Sequence, residues 1–254
     1  LPGRQMPNGL MPTFDLVSSG TPCAASQFTI SRALRVAAPC IAVAPSKKGS
    51  GLVPPPITNI MILRALSGNG IDKQWVSLDD MSPWLARAVI SSEDARFCQH
   101  NGVDWIEMQG VIDDAMDNDE APTRGASTIP MQTAKNLFLW PGRSFVRKAL
   151  EAPLALWLDL VLPKRRVMEI YLNIAEWGPN CVFGVEEGAK RAFGKPARSL
   201  NAGEAAILAA VLPNPIRRSA RQPGPAVRRK AATLQARAAR SPSIDACVRP
   251  KRAL

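Results

Sequence analysis

Four stretches of this chain repeat apolar residues every three or four positions, and no stretch of useful length alternates at the period of a strand. That pattern commits the fold to helices packed on helices, a mainly α protein. The first stretch, 82–97, carries Leu85, Ala88, Val89 and Ser92 on one stripe, with Ser82 as a candidate N-cap and Pro83 in the first turn. The second, about 146–162, sets Leu150, Leu154, Trp157, Leu158 and Val161 on its stripe. Pro153 interrupts it and is expected to kink the helix or move its start. The third, 164–176, repeats Val167, Ile170, Tyr171 and Ile174. The fourth, 201–212, is apolar nearly all round and predicts a central core helix, opened by Asn201 and Glu204 at capping-box spacing.

The helical pattern divides the 254 residues into three parts, long enough together to bury a proper core. Residues 1–56 are rich in Pro, Gly and Ser and close on Pro54-Pro55-Pro56, an extended N-terminal segment. Its best apolar run, 36–45, has ten residues against the roughly 18 of a membrane span, and reads as a plain loop in preference to a degraded membrane anchor or a short signal-like apolar region ending in Ala42-Val43-Ala44. The folded domain is expected over 57–215. Residues 216–254 hold eleven of the 32 Lys and Arg with Asp245 as their one acid, so nearly all of the net +11 lies there. A basic C-terminal tail of this kind meets an anionic membrane, an acidic polymer or nucleic acid.

Two smaller features narrow the chemistry. The stretch 107–126 contains Glu107, Asp113, Asp114, Asp117, Asp119 and Glu120 without calcium-loop spacing, and is expected to be a mobile, solvated flap. Cys23, Cys40, Cys98, Cys181 and Cys247 form no C-x-x-C pair, which argues against a zinc framework or a dense disulfide scaffold and leaves at least one free thiol. His100 is the single histidine, so two-imidazole sites are excluded and attention moves to carboxylates.

Four clusters carry those carboxylates and their counter-charges. In 91–105, Glu93 and Asp94 fall at the end of a helix, where the negative end of the dipole raises proton affinity and makes a better base. A surface helix that happens to end in acids reads the same way. In 124–136, Ser127 and Thr128 stand at a helix start with Lys135 and Asn136 behind them, an arrangement for an oxyanion or phosphate that is not a Walker loop. An ordinary capped helix with a solvated lysine accounts for it equally. In 143–151, Arg147, Lys148 and Glu151 share one turn, which as an exposed ion pair is worth only ~0.3–0.5 kcal/mol. In 164–178, Glu169 and Asn173 share the more polar side of the third helix, where a structural role is the default reading.

In order and spacing these clusters resemble the family 51 glycosyltransferases, and among them the monofunctional biosynthetic peptidoglycan transglycosylases. The resemblance runs from about Pro54 to Pro215. It covers P-P-P-I-T-x-x-M-x-x-R, E-D-x-x-F-x-x-H-x-G-x-D, G-x-S-T-I-x-x-Q-x-x-K-N, R-K-x-x-E, E-x-Y-L-N and E-A-A-x-L-A-A-V-L-P-N-P. It implies a lysozyme-like helical domain with a mobile flap that polymerises lipid II with inversion and releases undecaprenyl pyrophosphate. Glu93 is then the general base, and Lys135, Arg143, Arg147 and Lys148 stabilise the leaving pyrophosphate, with Glu151 orienting them or assisting departure. Asp94, Phe97, His100, Ser127, Thr128, Gln132, Asn136, Glu169 and Asn173 are expected to bind substrate or shape its cleft.

The same resemblance requires no cofactor and no protein-held metal, although a divalent cation at the pyrophosphate is compatible with it. Its partners are lipid II, the nascent glycan strand, an anionic membrane surface and other cell-wall synthases, at the outer or periplasmic face of the cytoplasmic (inner) membrane. Cys98 stands where relatives often carry a second aromatic, and Ala126 replaces a glycine of the usual pattern. Two rival readings remain. A lysozyme-like peptidoglycan hydrolase also works sugars with carboxylates. A basic nucleic-acid-binding protein explains 216–254 alone, where no aromatics interleave the cations.

Overall fold

The computed structural model describes residues 58–59, 61–62, 73–117, 126–142, 144–178 and 182–249. The expectations for residues 1–57, for Arg143 and for the 118–125 part of the acidic stretch lie outside these residues.

Helix α1 (Pro83–Glu93) opens with proline at its first position and buries Leu85, Ala86, Ala88, Val89 and Ile90. Ser82 occupies the N-cap position, but its hydroxyl donates to the Leu200 carbonyl at 2.7 Å instead of accepting from a free amide. The helix stops at Glu93, four residues before the expected end, because Asp94 turns out of it at φ −162° and ψ 74°. A turn over 95–99 follows, closed by the Phe97 amide on the Asp94 carbonyl and the Gln99 amide on the Arg96 carbonyl.

The acidic stretch is not a loop over its first half. Trp105–Asp117 form helix α2, started by Asp104, whose Oδ1 accepts from the Ile106 and Glu107 amides at 3.1 Å each. Met108 then packs with Val103, Met131, Ala152 and Ala155, so one side of the acidic helix has an apolar seat that the charge count concealed.

Helix α3 (Ile129–Phe138) is capped by Thr128, whose Oγ1 accepts from the Met131 amide at 3.3 Å. Helix α4 (Phe145–Val161) runs through Pro153, and its start is not displaced. The acceptor that proline leaves without an amide is the carbonyl of Ala149, on an exposed turn where solvent can serve it. Helix α5 (Lys164–Ile174) leads into an antiparallel pair, β1 (Glu176–Gly178) and β2 (Val182–Phe183), with Glu176 opposite Phe183. Helix α6 (Val185–Phe193) ends on left-handed Gly194.

Helix α7 (Ala202–Val211) carries the complete capping box, Asn201 Oδ1 on the Glu204 amide and Glu204 Oε2 on the Asn201 amide. Ala205, Ala206, Leu208, Ala209, Ala210 and Val211 are fully enclosed at the centre of the core. Helix α1 packs against α7, and so does helix α8 (Pro225–Arg240).

Residues expected to form a basic tail are therefore largely folded. Val227, Ala231, Leu234 and Ala238 make a buried stripe along α8, and burying one such Val or Leu contributes roughly 1.5–3 kcal/mol. Beyond α8, the chain returns to the back of α1. Asp245, 2% exposed, bonds Arg87 at 3.1 Å and Arg249 at 2.8 Å, and a disulfide joins Cys247 to Cys98. Among the described residues no helix is long and apolar enough to cross a membrane.

Candidate active site

Glu93 is the last residue of α1, half-buried, and two neighbours fix its carboxylate. Gln132 of α3 donates its Nε2 to Glu93 Oε2 at 3.2 Å. The Ser92 hydroxyl lies 3.0 Å from Glu93 Oε1 and 3.2 Å from the Ala209 carbonyl, both acceptors, so its one proton serves them in turn. Gln132 is itself oriented by Tyr171 of α5, whose hydroxyl donates to its Oε1 at 3.2 Å. Burial raises the Tyr171 hydroxyl well above the ordinary tyrosine range, helped by the negative charges of Glu93 and Asp94, so it remains a donor.

Asp94 points the other way, into the protein. His100 Nε2 lies 2.9 and 3.0 Å from its two oxygens, and the Ile129 amide at the start of α3 donates to Oδ2 at 2.9 Å. One carboxylate thus joins the end of α1 to the start of α3. Thr128 completes the joint by donating to the Gly102 carbonyl at 2.6 Å. Gly102 is required there, because its φ is +79° and a Cβ would stand 2.6 Å from the Ala155 carbonyl oxygen of α4. Phe97 is fully buried, edge-on to His100, with the Lys164 ammonium 4.8 Å from its ring centre. Lys164 also donates to the His100 carbonyl at 2.5 Å and pairs with Asp159 at 2.8 Å.

Asp94, Phe97, His100 and Thr128, expected to bind substrate or shape its cleft, are enclosed side chains that hold the end of α1 and the start of α3 in register. Glu169 and Asn173 are likewise spent on structure. Asn173 is fully buried and bonds both backbone groups of Val76, while Glu169 accepts from the Leu78 amide at 3.1 Å and from Arg166.

The cations gather where α3 meets α4. Glu151, 2% exposed, accepts from Arg147 on one oxygen and from Lys148 at 2.9 Å on the other. The Arg147–Lys148–Glu151 turn, which reads in sequence equally as an exposed ion pair, is a buried carboxylate gripping two cations. Lys148 reaches on toward the Ser127 hydroxyl at 3.4 Å. Lys135, half-buried on α3, stands between the two groups. Its ammonium is held below the ordinary lysine range chiefly by burial. Glu151 opposes that shift, Arg147 and Lys148 add to it, and Glu93 opposes it too. Asn136 lies one residue further along α3, half-buried.

The sequence reading missed three contributors. Tyr171 was legible as part of an apolar stripe and of the E-x-Y-L-N motif but without a role, and Lys164 only as a helix start. Lys230 of α8 was counted as tail, yet it is half-buried, and the charge of Glu93 partly offsets the burial that lowers its proton affinity.

Among the described residues, Asp94, His100 and Asp104 offer ligand atoms within 4.8 Å of one another, close enough to suggest a metal. Most of their atoms are already engaged, although His100 Nδ1 and Asp104 Oδ2 have no hydrogen-bond partner among the described residues. His100 faces Asp94, Asp94 takes the Ile129 amide, and Asp104 takes two amides and lies 3.1 Å from Arg96 Nε. The group is a structural knot.

Comparison with known proteins identifies the family. The family model described as transglycosylase matches residues 60–238, which includes all of α1 and most of α8. A biosynthetic peptidoglycan transglycosylase of Nitrobacter hamburgensis is 57% identical over 78% of this chain and 86% of its own length. Proteins of the same name from Rhodopseudomonas palustris strain HaA2 and Rhizobium meliloti are 56% and 51% identical, each over 76% of this chain and over 85% and 80% of theirs. With a fixed carboxylate at a helix end, a cation group across α3, and this likeness over most of its length, the chain belongs to the transglycosylase family.

Proposed function

We propose that the chain is a peptidoglycan glycosyltransferase of cell-wall synthesis that polymerises lipid II into β-1,4-linked glycan with inversion, releasing undecaprenyl pyrophosphate. The observation that carries this reading is that α3 presents Gln132 to Glu93 and, one turn on, Lys135 to the Glu151–Arg147–Lys148 group. A base and a site for a leaving oxyanion are thereby mounted on one rigid element.

In this mechanism Glu93 removes the proton from the 4-hydroxyl of the acceptor sugar as that oxygen bonds to the donor's anomeric carbon. A positioned base of this kind contributes typically ~10²–10⁴-fold. The bond from the anomeric carbon to the pyrophosphate breaks, and negative charge grows on the leaving oxygen. Lys135, Arg147 and Lys148 stabilise that charge, each well-placed donor being worth about 3–4 kcal/mol. Glu151 has both oxygens engaged by cations, so its part is to aim Arg147 and Lys148. That engagement also favours transfer over lysozyme-like hydrolysis, because Glu151 is not free to act as a second catalytic carboxylate. The cations of α8 ride on a helix packed against α7 and lying largely within the transglycosylase match, which favours the enzyme reading over a separate basic tail for nucleic acid.

A lipid-linked substrate brings the enzyme to a membrane, and the adjoining helices α2 and α4 carry the surface for it. Ile106, Ile112 and Met116 of α2 and Val146, Leu160 and Val161 of α4 are large, apolar and exposed, Met116 by 81% and Leu160 by 85%. We place this surface against the outer leaflet of the cytoplasmic membrane, with the basic residues of α8 in a lesser role.

The test is Glu93→Gln, which keeps the size of the side chain and its bond to Gln132 but cannot take a proton. A folded variant with labelled lipid II should form no polymer, and normal turnover would overturn the mechanism. Release of short soluble fragments from finished glycan by the intact protein would favour the hydrolase.

A further inference from the structure

Cys98 and Cys247 are separated by 149 residues and joined by a disulfide with their Cα atoms 5.5 Å apart. Cys98 sits in the 95–99 turn, between Asp94 and the histidine that holds it. Cys247 sits in the segment after α8, which is tied down around it. Asp245 bonds Arg87 of α1, Arg165 of α5 donates to the Val248 carbonyl at 2.7 Å, and Val248 is buried. The bridge thus closes a ring running from the catalytic end of α1 through α7 and α8 back to the turn behind Glu93. Both cysteines are half-buried, and Cys98 lines an open cavity of about 430 Å³ with Ser91, Gln99, Arg237 and Ser243, so the bridge lies at a solvent-facing hollow on the Cys98 side.

We propose that Cys98 and Cys247 are an oxidative modification site, a clasp that must be closed for the enzyme to reach full activity. Closing it forms one S–S bond with loss of two thiol protons and two electrons. The electrons pass to the disulfide of a protein thiol–disulfide carrier, which leaves as its dithiol. Once closed, the bridge fixes 241–249 behind α1 and keeps α8, with Lys230, beside Glu93. Cross-linking so long a loop removes much of the freedom of the unfolded chain. Such bonds persist outside reducing compartments, so maturation of the fold is coupled to arrival where cell wall is built. The activity arm of this proposal rests on the glycosyltransferase reading, and its thiol and melting arms do not.

The test uses the full chain with Cys23→Ser, Cys40→Ser and Cys181→Ser, so that Cys98 and Cys247 are its only cysteines. Protein made under oxidising conditions should show no alkylatable thiol when denatured, and two after reduction. Reduction should lower Tm by about 5–10 °C and polymerisation of lipid II several-fold, and reoxidation with oxidised glutathione should restore both. Cys98→Ser or Cys247→Ser in the same background should behave as the reduced form. Two free thiols in the oxidised preparation would overturn the proposal. So would a reduced protein that polymerises as fast as the oxidised one, whether or not its Tm falls. An oxidised protein that makes no polymer at all would instead sink the glycosyltransferase reading, leaving thiol count and Tm to decide the bridge.

Discussion

Replacing Glu151 by glutamine keeps the volume of the side chain and removes its charge. In the folded protein that carboxylate is 2% exposed and satisfies Arg147, whose side chain is 13% exposed, and Lys148, which is half exposed. The amide can still accept one bond through its carbonyl, but its NH₂ must then face a cation. Removing one partner of a buried pair costs ~3–5 kcal/mol because the other charge is left uncompensated. Lys148 can turn into solvent and Arg147 cannot, so the lower end applies, about 3 kcal/mol. For a domain of this size that is a fall in Tm of roughly 6–12 °C. Polymerisation should drop by about 100-fold as the cations lose their aim on the leaving group. Thermal melts and lipid II kinetics measure the two effects, and Arg147→Met added to Glu151→Gln separates them. Removing both partners of a buried pair is nearly neutral, so the double variant should regain most of the lost stability and none of the activity. A single variant with Tm within about 1 °C of the parent and normal turnover would refute the reasoning, as would a double variant that melts below the single.

Gly102→Ala forces a left-handed residue with a side chain against the Ala155 carbonyl, and calorimetry should show a loss of ~2–4 kcal/mol. The parent's polymerisation rate should fall on the alkaline side as Lys135, held below the ordinary lysine range by burial, loses the proton it needs to stabilise an oxyanion. In Glu151→Gln that fall should move to lower pH, since the carboxylate that raises Lys135 is gone, and superimposable pH–rate profiles would count against Lys135. Met116→Glu with Leu160→Glu should reduce co-sedimentation with anionic vesicles at all salt concentrations. Arg228→Glu with Arg229→Glu should reduce it only at low salt, and the opposite ranking would return membrane contact to the basic helix.

What the sequence disclosed depended on how far apart the partners lie. The Asn201–Glu204 box was legible because both partners sit within one turn, and α7 because its residues are apolar whichever way they face. Phe97 continues the periodicity of α1, yet the helix ends at Glu93, because Asp94 is committed to His100 and to Ile129, 35 residues away, and no local pattern records that. The stripe Val227, Ala231, Leu234, Ala238 was present at helical spacing but hidden among cations, since two of its four members are alanines that add little hydropathy. For the site, Glu93, Lys135 and the Arg147–Lys148–Glu151 turn were named through the resemblance that their order and spacing carry, since each cluster by itself reads equally as a helix end, a cap or an ion pair. The inward roles of Asp94, His100, Glu169 and Asn173 could not be named, because polar residues look alike in sequence whether they face a substrate or a buried amide.

Helix α7 has a consequence for motion. Four of its six enclosed residues are alanines, which surrender no rotamer freedom when buried, so the helix is fixed without the entropic loss that leucines in their place would incur. The amides of Leu208 to Val211 should then exchange with deuterium only when the whole domain opens. Since Ser92 lies within hydrogen-bond reach of the carbonyl of Ala209, the end of α1 that carries Glu93 is tied to this still helix, and under the proposed mechanism whatever yields to a growing strand lies on the other wall, with α4.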